Sequence, residues 1–339
     1  MKAIACSEYG PADVLQLVEV ETPVPRRREV LVRVHATTVS AEDPKLRAFD
    51  HPALHRLPVA LLYGYPRPRR GIWGMELAGV VAAIGDGVTR FSVGERVFGY
   101  TGISLGAHAE YRCLPETGIL ATIPPSLTYA EAAAIPNGAL TALTYLRNLA
   151  GLRAGETLLV YGASGSVGTA AIQLAKAFGA HVTGVCSTRN LSLVKSLGAD
   201  EVIDYTQRDF RQGSARYDII FDTVGQTSMK DVRASLAPRG RYLATVFGFS
   251  DWLHMQWTSL GRGQKMMGSA SNFHWKAQDL ALLCTLIEEG RWSSVIDRTY
   301  PWLDAAQAHR YVEQGHKRGN VVLIVGHAGP GDRPHSHQP

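Results

Sequence analysis

From Thr157 onward the chain repeats one unit: a short apolar strand, a turn, a helical stretch, then another strand. The strands are TLLVY (157–161), HVTGV (181–185), EVID (201–204), YDIIFD (217–222) and RYLAT (241–245). Helical crossovers between successive apolar strands are what a parallel sheet covered on both faces requires. The alternation therefore predicts an α/β doubly wound domain. Its first joint reads GASGSVG (162–168), and the helix after it sets Val167, Ala171, Leu174, Ala175 and Phe178 on one face.

Glycines are needed where a strand turns tightly into a helix and where backbone approaches a pyrophosphate whose charge rests on the helix N-terminus. In the GxGxxG register Ala163 takes the first place, and Gly165 and Gly168 the second and third. A strand before, a helix after and a second strand on time make this a dinucleotide site. Ser164, Ser166 and Val167 fall in the same turn and join the candidate cofactor contacts.

About 20 residues past such glycines an acidic residue binds the 2′-hydroxyl of NAD. Here the second strand ends in Cys186, Ser187, Thr188 and Arg189, without a carboxylate. A guanidinium fork beside hydroxyls suits a 2′-phosphate, so the expected cofactor is NADPH, with Ser187 and Arg189 as contacts. Ser187 to Asn190 also read as the cap of the next helix, which weakens Ser187 as evidence more than Arg189.

The first 125 or so residues differ. LQLVEV (15–20), EVLVRVHATTV (29–39), GVVAAIG (79–85) and HAEYRCL (108–114) are short strands separated by Gly, Pro and Asp turns. They predict a β-rich barrel or sandwich. Residues 50 to 70 carry four prolines and no clean period, and read as a long surface loop. Late in the chain, 280–290 and 305–315 are helical and end in glycine, 320–326 is a strand, and 327–339 reads as a disordered tail.

The 339 residues carry a formal charge of +5, a mild excess that favours an anionic ligand in a cleft and falls short of a nucleic-acid-binding stripe. No apolar run approaches membrane length and the opening lacks a leader pattern, so a cytoplasmic protein without membrane contact is expected. Cys6, Cys113, Cys186 and Cys284 are too scattered for a zinc knuckle or CxxC pair. Buried, reduced thiols are the reading.

GMELAGVVAAIG and VGERVFGY, then GASGSVGTAAIQLAKAFGA, SLGADEVIDY and GHKRGNVVLIV, resemble the medium-chain dehydrogenase/reductase superfamily over nearly the whole chain. The resemblance implies a GroES-like catalytic domain at 1–125 completed by 268–326, with a Rossmann cofactor domain at 126–267, and homodimers. Zinc-dependent members hold catalytic zinc at positions that match Ser40, Met75 and Asn137 here. None of these offers the thiolate or imidazole that zinc prefers. No metal is expected, and the chain looks like the zinc-free branch of quinone oxidoreductases and enone reductases.

Without a Lewis acid an isolated carbonyl is a harder acceptor than a quinone or α,β-unsaturated carbonyl, whose reduction spreads charge over a conjugated system that modest donors can stabilise. The resemblance suggests Lys45 as that donor, with Asp43 to orient or balance it and Ser40 behind them. A surface Asp and Lys pair is the plain alternative. For the cofactor it suggests Thr141, Tyr205, Val224 with Gly225, Phe247 and Asn272, each of which ordinary helix or loop packing explains equally well. Apart from the resemblance, Tyr63, Tyr65 and Trp252 are candidates for lining the acceptor pocket, with plain core or cover as the commoner role of large aromatics. A zinc-independent carbonyl reductase or alcohol dehydrogenase is the second reading. A nucleic-acid-binding or crystallin-like NADPH protein ranks below both.

Overall fold

A computed structural model describes residues 1–51, 53–69, 71–269 and 275–326. The described residues divide into two compact units: those of 1–133, 298–315 and 321–326 form the first, and those of 134–297 with 316–320 form the second.

The first unit opens with a two-stranded antiparallel sheet, β1 (Lys2–Ala5) on β2 (Gln16–Glu19). There follow β3 (Glu29–Val39), the short helix α1 (Glu42–Ala48), α2 (Ala53–Tyr63), β4 (Glu76–Ile84), β5 (Arg96–Tyr100), β6 (Tyr111–Pro115), β7 (Ile119–Thr122) and α3 (Tyr129–Ala133).

The second unit holds α4 (Pro136–Leu143), β8 (Thr157–Tyr161), α5 (Ser166–Ala177), β9 (His181–Cys186), α6 (Leu191–Ser196) and β10 (Glu201–Asp204). It continues with β11 (Tyr217–Asp222), α7 (Met229–Val232), β12 (Leu236–Ala244), α8 (Phe249–Ser259), β13 (Lys265–Met267) and α9 (Ala277–Glu288). Its six strands pair in the order β10-β9-β8-β11-β12-β13, every pair parallel. Leu158, Leu159, Val160, Ile219, Ile220 and Phe221 are fully buried, as strands covered on both faces must be. Each such side chain contributes about 2 kcal/mol by leaving water. The strand order reverses between β8 and β11, where a doubly wound sheet opens a crevice at the carboxyl ends.

The chain then returns through β14 (Ile296–Pro301), α10 (Ala305–Glu313) and β15 (Asn320–Ile324). They complete a seven-stranded sheet in the order β14-β15-β3-β4-β5-β7, with β6 also on β3. One edge of β3 serves two partners: residues 29–33 pair with β6 and 36–39 with β15. Val30, Val32, Val34, Leu77, Val81, Val97, Leu120 and Leu323 pack beneath as one core, joined by Trp302 and Val312.

Two expectations change. The 50–70 stretch is not simply a loop, since α2 occupies 53–63 with Pro58 inside it. Proline withholds one amide and disturbs one turn, while Val59 to Tyr63 continue the helix and Gly64 N still reaches Ala60 O at 2.8 Å. The domain limits also move. The first unit extends to Ala133, and of the late segment only 298–315 and 321–326 belong to it, because 275–297 packs with the second unit. Arg147, for example, holds Asp279 at the start of α9 at 2.6 Å. The tail at 327–339 lies outside the described residues. No helix among the described residues is long and apolar enough to cross a membrane.

Candidate active site

In the first unit the candidate residues follow β3. Asp43 is fully buried, and its Oδ2 accepts from both the backbone N and the Oγ of Ser40 at 2.7 Å. Its Oδ1 accepts from Gly74 N at 3.1 Å, next to Met75. Asp43 thus fastens the end of β3 to the segment leading into β4. It does not serve Lys45 as the sequence suggested. Lys45 is exposed and its Nζ pairs with Glu42, one turn earlier, at 3.1 Å. Donors inside a buried turn hold a carboxylate far more firmly than an exposed ammonium does, and Ser40 and Gly74 supply them.

Met75 is 8% exposed and its Sδ accepts from Tyr100 Oη at 3.3 Å, while the Ser40 hydroxyl is turned inward to Asp43. A thioether inside the core and a hydroxyl engaged by a carboxylate are not a catalytic zinc donor set. Asn137, the third matching position, lies in the second unit. Among the described residues no three His, Cys, Asp or Glu side chains are grouped to hold a metal.

Beneath this turn lies a buried cluster around Arg47 that the sequence does not announce. Arg47, on α1 and fully buried, donates Nε to Gly10 O at 3.1 Å and Nη1 to His309 Nδ1 at 3.2 Å, and pairs through Nη2 with Glu313. His309 is then the tautomer with its hydrogen on Nε2. Burial, with His108 and Arg47 nearby, holds its pKa well below the usual histidine range. His108 donates Nε2–H to Thr38 O at 3.0 Å, its ring edge-on to His309 at 5.8 Å. An arginine and two histidines far apart in sequence gave no spacing signal.

In the second unit the turn after β8 is built by Gly162, whose φ of +81° only glycine adopts readily. A Cβ there would meet Val224 Cγ1 at 2.7 Å. The tight turn is therefore made one residue before Ala163, which is fully buried. Gly162 N and Ala163 N both donate to Val185 O, at 3.2 and 3.0 Å. Gly168 brings α5 against the turn, since a Cβ would stand 2.2 Å from Gly162 O. The first amides of α5, at Ser166 and Val167, have no preceding helical carbonyl to meet and so favour an anion. The returning chain covers the turn: Gly319 N donates to Ser164 O at 2.8 Å and Ser166 Oγ to Asn320 Oδ1 at 2.6 Å.

Val224 is 45% exposed above Gly162, held by a residue the sequence reading passed over. Asp222 is fully buried at the carboxyl end of β11. Its Oδ1 accepts from Val224 N and Gly225 N at 2.9 and 2.8 Å, and its Oδ2 from Thr227 N and Oγ1 at 2.8 and 2.7 Å. An aspartate closing the apolar run YDIIFD was the available signal.

At the end of β9 Ser187 is half-buried and Arg189 exposed, its Nη2 donating to His316 O at 2.8 Å. Tyr205 N bonds Cys186 O at 3.1 Å, which sets this 46%-exposed ring beside the same strand end. Ser164, Ser187, Arg189 and Tyr205 thus gather at one corner of the unit. That corner fits an adenosine phosphate by donor chemistry: hydroxyls, a guanidinium and an aromatic face.

The remaining candidates are dispersed. Thr141 is half-buried on α4, and Phe247 packs against the second unit's core. Asn272 lies outside the described residues. Tyr63 is buried edge-on to Trp73 in the first unit's interior, so it is core and not a pocket wall. Tyr65 is 69% exposed against Phe49, and Trp252 stacks on Phe249 in the second unit. The four cysteines are free, and burial raises every thiol pKa, to about 11 for Cys113, Cys186 and Cys284, so none is a nucleophile at neutral pH.

Residues 26–125 match the alcohol dehydrogenase GroES-like domain, and residues 197–323 match the zinc-binding dehydrogenase family. A quinone oxidoreductase of Pseudomonas aeruginosa is 32% identical, the match covering 95% of this chain and 99% of that protein. The solved quinone oxidoreductase of Coxiella burnetii superposes with a TM-score of 0.85 at 29% identity, over 96% of this chain and 99% of that one. A mycobacterial protein solved in complex with NADPH superposes with a TM-score of 0.78 at 28% identity, over 96% and 100%.

Proposed function

The chain belongs to the medium-chain dehydrogenase/reductase superfamily of oxidoreductases, and from that premise we propose that it is a zinc-independent, NADPH-dependent reductase of quinones or α,β-unsaturated carbonyls. The observation that carries this reading is the local chemistry of Ser40 and Met75. One is bonded to Asp43 and the other to Tyr100, so neither offers a metal the donors for polarising an isolated carbonyl. A conjugated acceptor needs less, because charge arriving on it is delocalised and hydrogen-bond donors suffice.

NADPH, when bound, supplies hydride from its nicotinamide. The chain's own residues bind and orient. The turn at 162–168 and the amides of Ser166 and Val167 receive the pyrophosphate, and Ser187, Arg189 and Tyr205 receive the adenosine end. Val224, set by Asp222, and Thr141 face the nicotinamide end in this reading, with Phe247 and Asn272 as further contacts. Lys45 is the donor to the acceptor oxygen. Its exposed pair with Glu42 is worth at most about 1 kcal/mol, so the ammonium is readily exchanged onto a substrate. Asp43 holds Ser40 and Gly74 in place.

We also read the protein as a homodimer. Strand β13 ends its sheet among the described residues, and Trp252, Leu253 and Trp257 of α8 are 47%, 50% and 79% exposed. Light scattering at twice the monomer mass tests this, and a monomer removes it. The activity is tested by steady-state rates with NADPH on a quinone, an enone and a saturated ketone. Turnover of the quinone or enone is expected, and turnover of the ketone alone overturns the reading.

A further inference from the structure

Asn190 stands behind the adenosine corner of the second unit, 3% exposed. Its Nδ2 spends one hydrogen on Ser164 Oγ at 2.9 Å and the other on Ser187 Oγ at 3.2 Å. Ser164 belongs to the turn after β8 and Ser187 closes β9, so one buried amide spans two strand ends. A hydroxyl owns one hydrogen and two lone pairs. With a lone pair of each serine taken by Asn190, both hydroxyl hydrogens are left to donate away from the amide. No acceptor among the described residues takes either one.

The amide orientation follows from counting. As placed, one buried acceptor, Asn190 Oδ1, lacks a partner. Turned over, the amide would leave two buried N–H donors unpaired and draw both serine hydrogens inward. Each unpaired buried donor costs about 1–3 kcal/mol, so the orientation with Nδ2 toward the serines holds.

Beside the serines Arg189 is anchored by a single bond from Nη2 to His316 O, which leaves the rest of its fork unspent. Asp204, a carboxylate at the end of the adjoining strand β10, is engaged by Thr188 Oγ1 at 2.6 Å and by Thr206 N and Oγ1 at 2.9 and 2.7 Å. What faces outward at the corner is two hydroxyl hydrogens, each beside one remaining lone pair, and a guanidinium. A ribose hydroxyl is neutral and takes such hydrogens singly, whereas a phosphate is anionic and accepts several at once, so outward hydroxyl hydrogens beside a guanidinium favour the phosphate.

We propose that Asn190 is a specificity-determining positioning residue, which aims the Ser164 and Ser187 hydroxyls outward as donors to the 2′-phosphate of the adenosine ribose. This rests on NADPH being the cofactor. In Asn190→Asp the carboxylate accepts both serine hydrogens, turns them inward and sets a negative charge behind the site. In Asn190→Ala the serines lose their orientation without gaining a charge.

The experiment is fluorescence titration of the whole protein with NADPH and with NADH, alongside 2′,5′-ADP as a probe of the phosphate corner. It compares wild type with Asn190→Asp, Asn190→Ala and Arg189→Ala. For Asn190→Asp, Kd for NADPH and 2′,5′-ADP should rise about 100-fold while that for NADH moves less than about threefold; for Asn190→Ala the NADPH rise should be about tenfold. A merely structural amide would shift both nucleotides together. If Arg189→Ala weakens NADPH selectively while both Asn190 variants weaken NADPH and NADH equally, the assignment of Asn190 is overturned and the NADPH reading stands. If wild type does not prefer NADPH and Arg189→Ala weakens both nucleotides equally, the cofactor reading itself falls, and the role of Asn190 with it.

Discussion

Asp43 and Gly74 are 31 residues apart in sequence, yet the Gly74 amide donates to Asp43 Oδ1 at 3.1 Å in the interior of the first unit. The same carboxylate holds Ser40 twice. Asp43→Ala leaves three donors without an acceptor and is expected to lower unfolding stability by about 3 kcal/mol. Asp43→Asn, which keeps one acceptor oxygen, should lose less. Denaturant midpoints of the two variants check the order, and equal losses would mean that the carboxylate's two oxygens do not act separately.

Lys45 is expected to behave in the opposite way. Its pair with Glu42 is exposed, so Lys45→Ala should change stability by no more than about 0.5 kcal/mol. The proposed donor role requires kcat with a conjugated acceptor to fall about tenfold or more, with partial recovery in Lys45→Arg. An unchanged kcat would reduce Lys45 to a surface ion pair.

His309 gives a pH signature. Its folded pKa lies well below the ordinary histidine value of 6.5. A depressed histidine contributes stability in the neutral form, present above the unfolded pKa and lost as pH falls beneath it, since the unfolded chain then binds the proton first. Stability should decline below about pH 6.5, approaching 1.4 kcal/mol per unit for this one group. The groups facing it are Arg47 and His108, with Glu313 on the far side of the guanidinium. His309→Gln retains an acceptor for Arg47 and should flatten that decline; a slope identical to wild type would assign the acid sensitivity elsewhere.

Asp222 should matter beyond stability. Without its carboxylate the amides of Val224, Gly225 and Thr227 lose their common acceptor. Asp222→Ala is expected to cost about 3 kcal/mol, and Asp222→Asn less, because one oxygen still accepts. Both should weaken NADPH binding in a fluorescence titration. Binding unchanged in a folded Asp222→Asn would separate this loop from the cofactor.

The parallel sheet was legible because its strands are apolar on both faces, and a continuous apolar run needs no partner to be recognised. Glu29–Val39, Thr157–Tyr161, Glu201–Asp204 and Tyr217–Asp222 have the same limits in sequence and structure. The short strands β1, β7 and β13 and the small helix α1 have no counterpart in the sequence reading, since strands of three or four residues and a helix of seven carry too little period. Helix α2 is hidden in the sequence by Pro58, because proline signals a break while disturbing only one turn.

The candidate site divides similarly. Glycines and Arg189 announce themselves by position relative to a strand. Asn190 and Asp222 do not, because what distinguishes them is the direction of their hydrogen bonds, and that is decided by neighbours 2 to 26 residues away. The pairing of Asp43 with Gly74 instead of Lys45 belongs to the same class.

The five residues 316–320 sit in the second unit between two stretches of the first, and Gly319 and Asn320 fasten the turn at Ser164 and Ser166. A chain leaving the ribosome therefore completes every strand of the parallel sheet well before the cover of its nucleotide turn emerges. A nascent chain halted before Gly319 has its six-stranded scaffold without that clasp. Competence to grip a nucleotide is thus deferred until synthesis reaches Asn320, where β15 begins, so that cofactor loading reports on a parallel sheet already complete.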